Sequence, residues 1–222
     1  MLSIVTGTLN RKHLLPGIIN NTVDSCDNVE LVLVDGGSCD GSIEYIKSLN
    51  HSRIKFIEVG HRSPYAHYMN LGIRNASYEL ICQWNDDALL LNSWEDVLSS
   101  IGEEDLYFFS WNYDNGKDWV VLCDFKNTVC MNYGIYKKDV FRKFGMYSNA
   151  FAYYCSDEDM SYRAWAMGCE IKILNEIKVV VPINEEKRAI VKGNERAILS
   201  ERLNLYKQKL FPNDIEYLES IP

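Results

Sequence analysis

Apolar runs and helical stripes alternate along the first third of the chain. Residues 3–6 are a short β-branched apolar run broken by Gly7, which predicts a strand. Over 13–23, Leu14, Leu15, Ile18, Ile19 and Val23 recur at the spacing of one helix face. Residues 31–34 (LVLV) are continuously apolar, as in a parallel strand covered on both faces, and stop at the turn-forming DGGS. A helix through Ile43, Ile46 and Leu49 follows, then a strand over 54–59. Next come a helix carrying Tyr68, Leu71, Gly72 and Ala76 and a strand over 80–84. Alternation at this pace predicts a parallel α/β sheet.

The pattern then loosens. Strands are expected over 106–111 and 119–123, around the turn DNGKD, and helices over 139–144 and 157–167. Further strands are expected over 171–174 and 179–181. From 194 to 210, Leu199, Leu203, Tyr206 and Leu210 mark an amphipathic helix that packs on the domain or on a partner. With no repeat, low-complexity stretch or linker, the economical organisation is one domain over residues 1–190, with halves 1–95 and 96–190. A C-terminal helical extension over 191–222 completes it and is a candidate oligomer contact.

Composition narrows the function classes. At 222 residues, 47% hydrophobic and 24% charged, the chain can bury a sizeable core, which excludes a disordered or fibrous protein. Twenty-three Lys+Arg against 31 Asp+Glu leave a net charge of −8. That argues against nucleic acid as a partner, because such binding runs on phosphate neutralisation by clustered cations. No apolar run reaches the roughly 18–20 residues of a membrane span, and the N-terminus lacks a signal-peptide pattern. Seven scattered cysteines, an odd number without a C-x-x-C pair, suit reduced thiols. A cytoplasmic protein with no transmembrane segment is the expectation, with peripheral membrane contact left open.

Open α/β sheets bind ligands at the carboxyl ends of their strands. Three such ends here are polar or acidic: Gly7-Thr8-Leu9-Asn10-Arg11, Asp35-Gly36-Gly37-Ser38 and Asn85-Asp86-Asp87. A single Asp after a strand commonly makes a turn. Three acids brought together repel one another unless a cation or a hydrogen bond compensates. With no His or Cys nearby, they are hard oxygen ligands suited to Mg²⁺ or Mn²⁺ that a substrate phosphate also binds. Arg62 and Arg74 could reach a diphosphate, although solvated surface positions suit them better. Trp84, Trp111 and Trp119 could form a sugar platform or pack in the core.

These segments, in order over about residues 3–173, resemble the motifs of family-2 glycosyltransferases of the GT-A fold. SIVTGTLNR resembles the opening strand and its Asn-Arg signature, and VDGGSCDGS the nucleotide-binding turn. The stretch from Asn70-Leu71-Gly72 to LICQWNDDALL resembles the lead into the Asp-x-Asp-type metal motif. NYGIYKKDVFRKFGMYS is similar to the acceptor-side segment, and SDEDMSYRAWAMGCEI to the segment that carries the base. The resemblance implies a Rossmann-like, mostly parallel central sheet flanked by helices. It also implies a metal-dependent, inverting transfer of sugar from a nucleotide-diphospho-sugar, UDP-sugars favoured, to a hydroxyl of a carbohydrate or glycolipid acceptor, as in glycan or polysaccharide synthesis. On this mapping Thr8, Leu9, Asn10, Arg11, Asp35, Gly37, Ser38, Asn70 and Asp86 bind the nucleotide-sugar, with Asp35 in the base pocket. Asp87, helped by Asp86, holds Mn²⁺ or Mg²⁺, and Asp157 is the general base. Leu9 stands where the family has a stacking Tyr, Gly36 where it has a second acid, and Ser156 where it has Glu; the four His lie no later than His67.

Helix chemistry supports Asp157 separately. Ser156-x-x-Asp159 reads as a capping box, and Asp159 precedes Arg163 by four residues, the favoured order for a helical ion pair. Asp157 has Met160 at i+3 and Ser161 at i+4, so the spacing assigns it no intrahelical ion pair, and a helix N-terminus favours its ionised form. A catalytically inactive nucleotide-sugar-binding domain and a nucleotidyltransferase are the alternatives. A dinucleotide-dependent dehydrogenase is disfavoured because no G-x-G-x-x-G follows the first strand.

Overall fold

β1 (Leu2–Thr8), β2 (Val29–Asp35), β3 (Ile54–Glu58) and β4 (Leu80–Gln83) form where the apolar runs predict strands, separated by α1 (Leu15–Asn21), α2 (Ser42–Leu49) and α3 (Tyr65–Asn75). The computed structural model describes residues 1–113, 131–152, 154–182 and 194–219, so the expected strand at 119–123 lies outside the described residues. The remaining elements are β5 (Leu89–Leu90), α4 (Trp94–Ser99), β6 (Leu106–Tyr113), β7 (Gly134–Lys137), α5 (Lys138–Phe144), α6 (Ser156–Ala166), β8 (Ile171–Val181) and α7 (Glu195–Lys207). The strands form one sheet in the order β3-β2-β1-β4-β7-β6-β8-β5. Pairings among β3, β2, β1 and β4 are all parallel. β7 then runs antiparallel to both β4 and β6, β8 is parallel to β6, and β5 antiparallel to β8.

Side chains alternate between two cores, as the two-residue strand period requires. Ile4, Leu31, Leu33, Cys82 and Phe109 face a cluster closed by α1 and α4; Val5, Val32, Ile81 and Phe108 face a second one closed by α3, α5 and α6. A helix–sheet–helix sandwich results. Gly72 is a condition of this packing: a Cβ there would lie 2.3 Å from Val5 Cγ1, so only glycine lets α3 approach β1.

Several elements differ from expectation for identifiable reasons. The helix over 13–23 begins as a 3₁₀ turn at Lys12–Leu14 and becomes α-helical at Leu15, because Pro16 fits only the first helical turn. The strands expected at 171–174 and 179–181 are one strand, β8, whose register against β6 shifts at Phe109/Ser110. β5, α4 and β7 have no counterpart among the expected elements. The capping box forms at α4, where the Ser93 hydroxyl accepts from the Asp96 amide and the Asp96 carboxylate accepts from the Ser93 amide. Ser156, predicted to cap α6, is its first residue instead; Cys155 is the N-cap, in the left-handed region at φ 67°. The Ser156 hydroxyl donates to the Phe151 carbonyl, and Asp159 is drawn into the core.

α7 packs on α6, with Leu199 against Phe151 and Cys155, while Leu210 is exposed. The following tail returns over α5: the Met146 amide donates to the Glu216 carbonyl at 2.7 Å and the Ser148 hydroxyl to Asp214 at 2.7 Å. Among the described residues, no helix is long and apolar enough to cross a membrane.

Candidate active site

The carboxyl ends of β1, β2, β3, β4, β6 and β8 meet the amino ends of β7, α6 and α7 around one cleft of about 810 Å³, within the usual range of ligand pockets. Thr8 lines it from the end of β1, Leu9, Asn10 and Arg11 from the loop that follows, Gly36 from the loop after β2, and Arg62 from the loop after β3. Asn85, Asp86 and Asp87 follow β4; Tyr154–Glu158 and Arg196 form the opposite wall. The expected donor and base segments, far apart in sequence, therefore share one space.

Four residues expected at the nucleotide belong to the β2 turn and to α3. Asp35 is fully buried, and its Oδ1 accepts from the Gly37 and Ser38 amides, both at 2.8 Å, while Oδ2 accepts from the Ser38 hydroxyl at 2.5 Å. Its carboxylate thus folds the turn, with Gly37 at φ 89°, and it is Gly36 that faces the cleft. Ser38 also accepts from the Asn10 amide at 2.8 Å, and Asn10 Oδ1 from the Cys39 amide at 2.8 Å, which fastens the β1 loop to the β2 turn. Buried Asn70 clamps Tyr147, donating to its carbonyl at 2.7 Å and accepting from its amide at 3.0 Å. In this structure the hydrogen bonds of Asp35, Ser38 and Asn70 are made within the turn and to Tyr147, so these residues shape the cleft.

The acid pair lies on the cleft floor, with side chains only 6% (Asp86) and 1% (Asp87) exposed. Arg11 Nη1 reaches Asp86 Oδ1 at 2.7 Å and Asp87 Oδ2 at 3.3 Å. Burial raises the Asp86 carboxyl above its ordinary value and Asp87 adds to the rise, while Arg11 opposes both. Asp86 Oδ2 is buried without a well-formed hydrogen bond. Two adjacent hard carboxylates, one oxygen of which is desolvated and unsatisfied, fit a divalent cation that completes its shell from a bound diphosphate and water. Among the described residues no three His, Cys, Asp or Glu side chains converge as a metal cage. Asn85 turns aside, donating to the Tyr133 hydroxyl at 2.9 Å.

On the opposite wall the start of α6 separates two neighbouring acids. Asp157, partly exposed, faces the cleft. Asp159 points the other way and is fully buried, where it accepts from Arg163 at 3.2 Å and from the Tyr206 hydroxyl at 2.5 Å. Glu158 takes Arg196 of α7 at 2.7 and 2.6 Å. Tyr65 also lines the cleft; burial, with the Asp157 charge second, pushes its phenol well above the usual tyrosine value, so it remains a neutral donor.

The family model "Glycosyl transferase family 2" matches residues 3–144, well over half the chain. The chain belongs to this family. Its fold is that of solved glycosyltransferases. S. aureus TarS 1-349 in complex with UDP-GlcNAc has a TM-score of 0.73 at 17% identity over 96% of this chain and 68% of that one. The mannosyltransferase PcManGT from Pyrobaculum calidifontis, in complex with GDP-Man and Mn²⁺, has a TM-score of 0.65 at 17% identity over 84% of this chain. The chain spans 58% of the length of PcManGT and 60% of another TarS 1-349 structure. No curated protein matches it.

Sequence reasoning missed much of the cleft lining. Tyr65, Tyr68, Gln83, Tyr113, Tyr133 and Arg196 sit at element ends brought together by non-local pairing, and no local motif marks them. Trp111 lines the cleft; Trp84 is core, wedged edge-on between Trp94 and Tyr133. Arg62 faces the cleft, whereas Arg74 pairs with Glu216 of the tail.

Proposed function

We propose that this family-2 domain transfers a glycosyl group, with inversion, from a nucleotide-diphospho-sugar to an acceptor hydroxyl. The observation that carries the reading is the placement of Asp157 in the same cleft as the Asp86–Asp87 pair, on its opposite wall. In this reading the donor lies along the β1–β4 edge. Its base rests against Leu9 and Gly36, and its diphosphate lies within reach of Arg11 and Arg62. Asp87 and Asp86 would hold Mn²⁺ or Mg²⁺, which when bound stabilises the charge on the departing diphosphate.

The acceptor enters from the Trp111, Tyr113 and Tyr154 side, where aromatic faces suit the CH surfaces of a carbohydrate. Asp157 takes the proton from its attacking hydroxyl, and that oxygen displaces the nucleotide from the opposite face of the sugar. Inversion follows from a single displacement by one base. The nucleotide in PcManGT is GDP-linked and in TarS UDP-linked. UDP is favoured for this chain on the motif resemblance, with residues 1–95 as the donor half and 96–190 as the acceptor and base half.

A thermal-shift screen of nucleoside diphosphates and their sugars, with and without Mn²⁺, tests the reading. A native-state ligand at 100 times its Kd stabilises by about 2.7 kcal/mol. One nucleotide should raise Tm, and more so with Mn²⁺; no shift from any of them contradicts the proposal.

A further inference from the structure

We propose that Arg11 is an internal counter-cation that holds the acid pair closed until donor arrives, so that a divalent cation enters only together with a nucleotide diphosphate. The inference rests on the transferase reading and adds an order of binding to it. Arg11 Nη1 bridges Asp86 and Asp87 at 2.7 and 3.3 Å, where a cation would have to bind. Its backbone cannot readily retreat. The preceding Asn10 is tied to Ser38 and Cys39, and the following Lys12 amide donates to Asp40 at 2.9 Å, so the side chain alone must move.

Arg11 also satisfies the pair incompletely. One guanidinium brings a single positive charge to two carboxylates and leaves Asp86 Oδ2 buried without a well-formed hydrogen bond. A metal ion arriving alone must displace that guanidinium from both buried carboxylates and brings no anion to take their place. A diphosphate removes the obstacle, because phosphate oxygens accept the planar guanidinium in pairs. Metal and nucleotide then each raise the affinity for the other by the same factor. While the pair is held closed, affinity for metal alone falls in proportion to the fraction of open molecules; a pair closed nine-tenths of the time weakens it about tenfold.

Mn²⁺ titration of the whole chain, followed by electron paramagnetic resonance with and without UDP and corrected for Mn²⁺–UDP in buffer, reads this coupling directly. Wild-type protein should bind Mn²⁺ at least about tenfold more tightly when UDP is present. Arg11→Met should bind Mn²⁺ alone about tenfold more tightly than wild type and gain less from UDP, while Arg11→Lys should restore weak binding of Mn²⁺ alone. Folded Arg11→Met with the wild-type affinity for Mn²⁺ alone overturns the proposal. So does wild-type protein that binds UDP but holds Mn²⁺ equally with and without it, a result that does not depend on whether the variants fold and that leaves the transferase reading standing. Wild-type protein that binds neither UDP nor UDP-sugars removes both.

Discussion

The two sides of the cleft are built differently. On the β1–β4 side, all strand pairings are parallel, and Leu9, Arg11, Gly36, Asp86 and Asp87 lie in the loops just beyond their own strands. Short-range bonds shape these loops: Asp35 to Gly37 and Ser38, Asp40 to Ser42. On the β6–β8 side, strand directions mix, and the wall carrying Asp157 is held by a buried polar cluster. Asp159 binds Arg163 and Tyr206, and Arg202 joins it to Asp214, so α6, α7 and the tail become one unit. Each turn on this side is shaped locally, and the turns are then joined to one another by Asn10 to Ser38 and Arg11 to Asp86. The wall carrying Asp157 rests on contacts such as Asp159 to Tyr206 and Ser148 to Asp214, 47 and 66 positions apart.

Variants that act on one side only would sharpen this contrast. The largest effect is expected at the acid pair: Asp87→Ala should lower Mn²⁺-supported turnover by at least about 10³-fold, the several kcal/mol a cation contributes at a charged leaving group. Its denaturation midpoint should stay near that of wild type. Full wild-type turnover in EDTA would break the assignment. Next comes the buried cluster. Asp159→Ala strands Arg163 without its carboxylate in the core and should cost about 3–5 kcal/mol in chemical denaturation. A loss under about 1 kcal/mol would show that the base side is held by something else.

The smallest effect is a pH dependence of the tail. Although burial alone would raise it, hydrogen bonds from Arg202 and Ser148 hold the Asp214 carboxyl below its ordinary value of 3.8. Its contribution is therefore present above that value and is lost as pH falls further. Because the pair is partly exposed, it should amount to no more than about 1 kcal/mol. Asp214→Asn should remove this portion of the acid dependence; an unchanged profile would separate the tail from the cluster.

The same contrast explains what could be read from the chain. β1, β2 and β4 are apolar runs stopped by turn residues, so the strand ends carrying Arg11, Asp86 and Asp87 were legible, as was the helix bearing Asp157. β5 has two residues and β7 four, and their place comes from pairing with distant strands rather than from their own pattern. A carboxylate after a strand has the same signature whether it points outward or folds its own turn, as that of Asp35 does. The Ser-x-x-Asp pattern is equally degenerate: it caps α4 at Ser93, but at Ser156 the burial of Asp159 with Arg163 and Tyr206 prevails. The ion pair expected between Asp159 and Arg163 is present, with both side chains fully buried.

Paired measurements on Asp157→Asn and Asp159→Asn test the central claim most directly: UDP affinity by calorimetry, and turnover with the donor found by thermal shift. Asp157→Asn keeps the shape of the side chain and removes its basicity. It should bind UDP as wild type does while turnover falls by about 10²–10⁴-fold, the usual worth of general-base catalysis. Asp159→Asn should lose stability and retain turnover per folded molecule. Near-wild-type turnover in Asp157→Asn, beside a folded but inactive Asp159→Asn protein, would contradict the account.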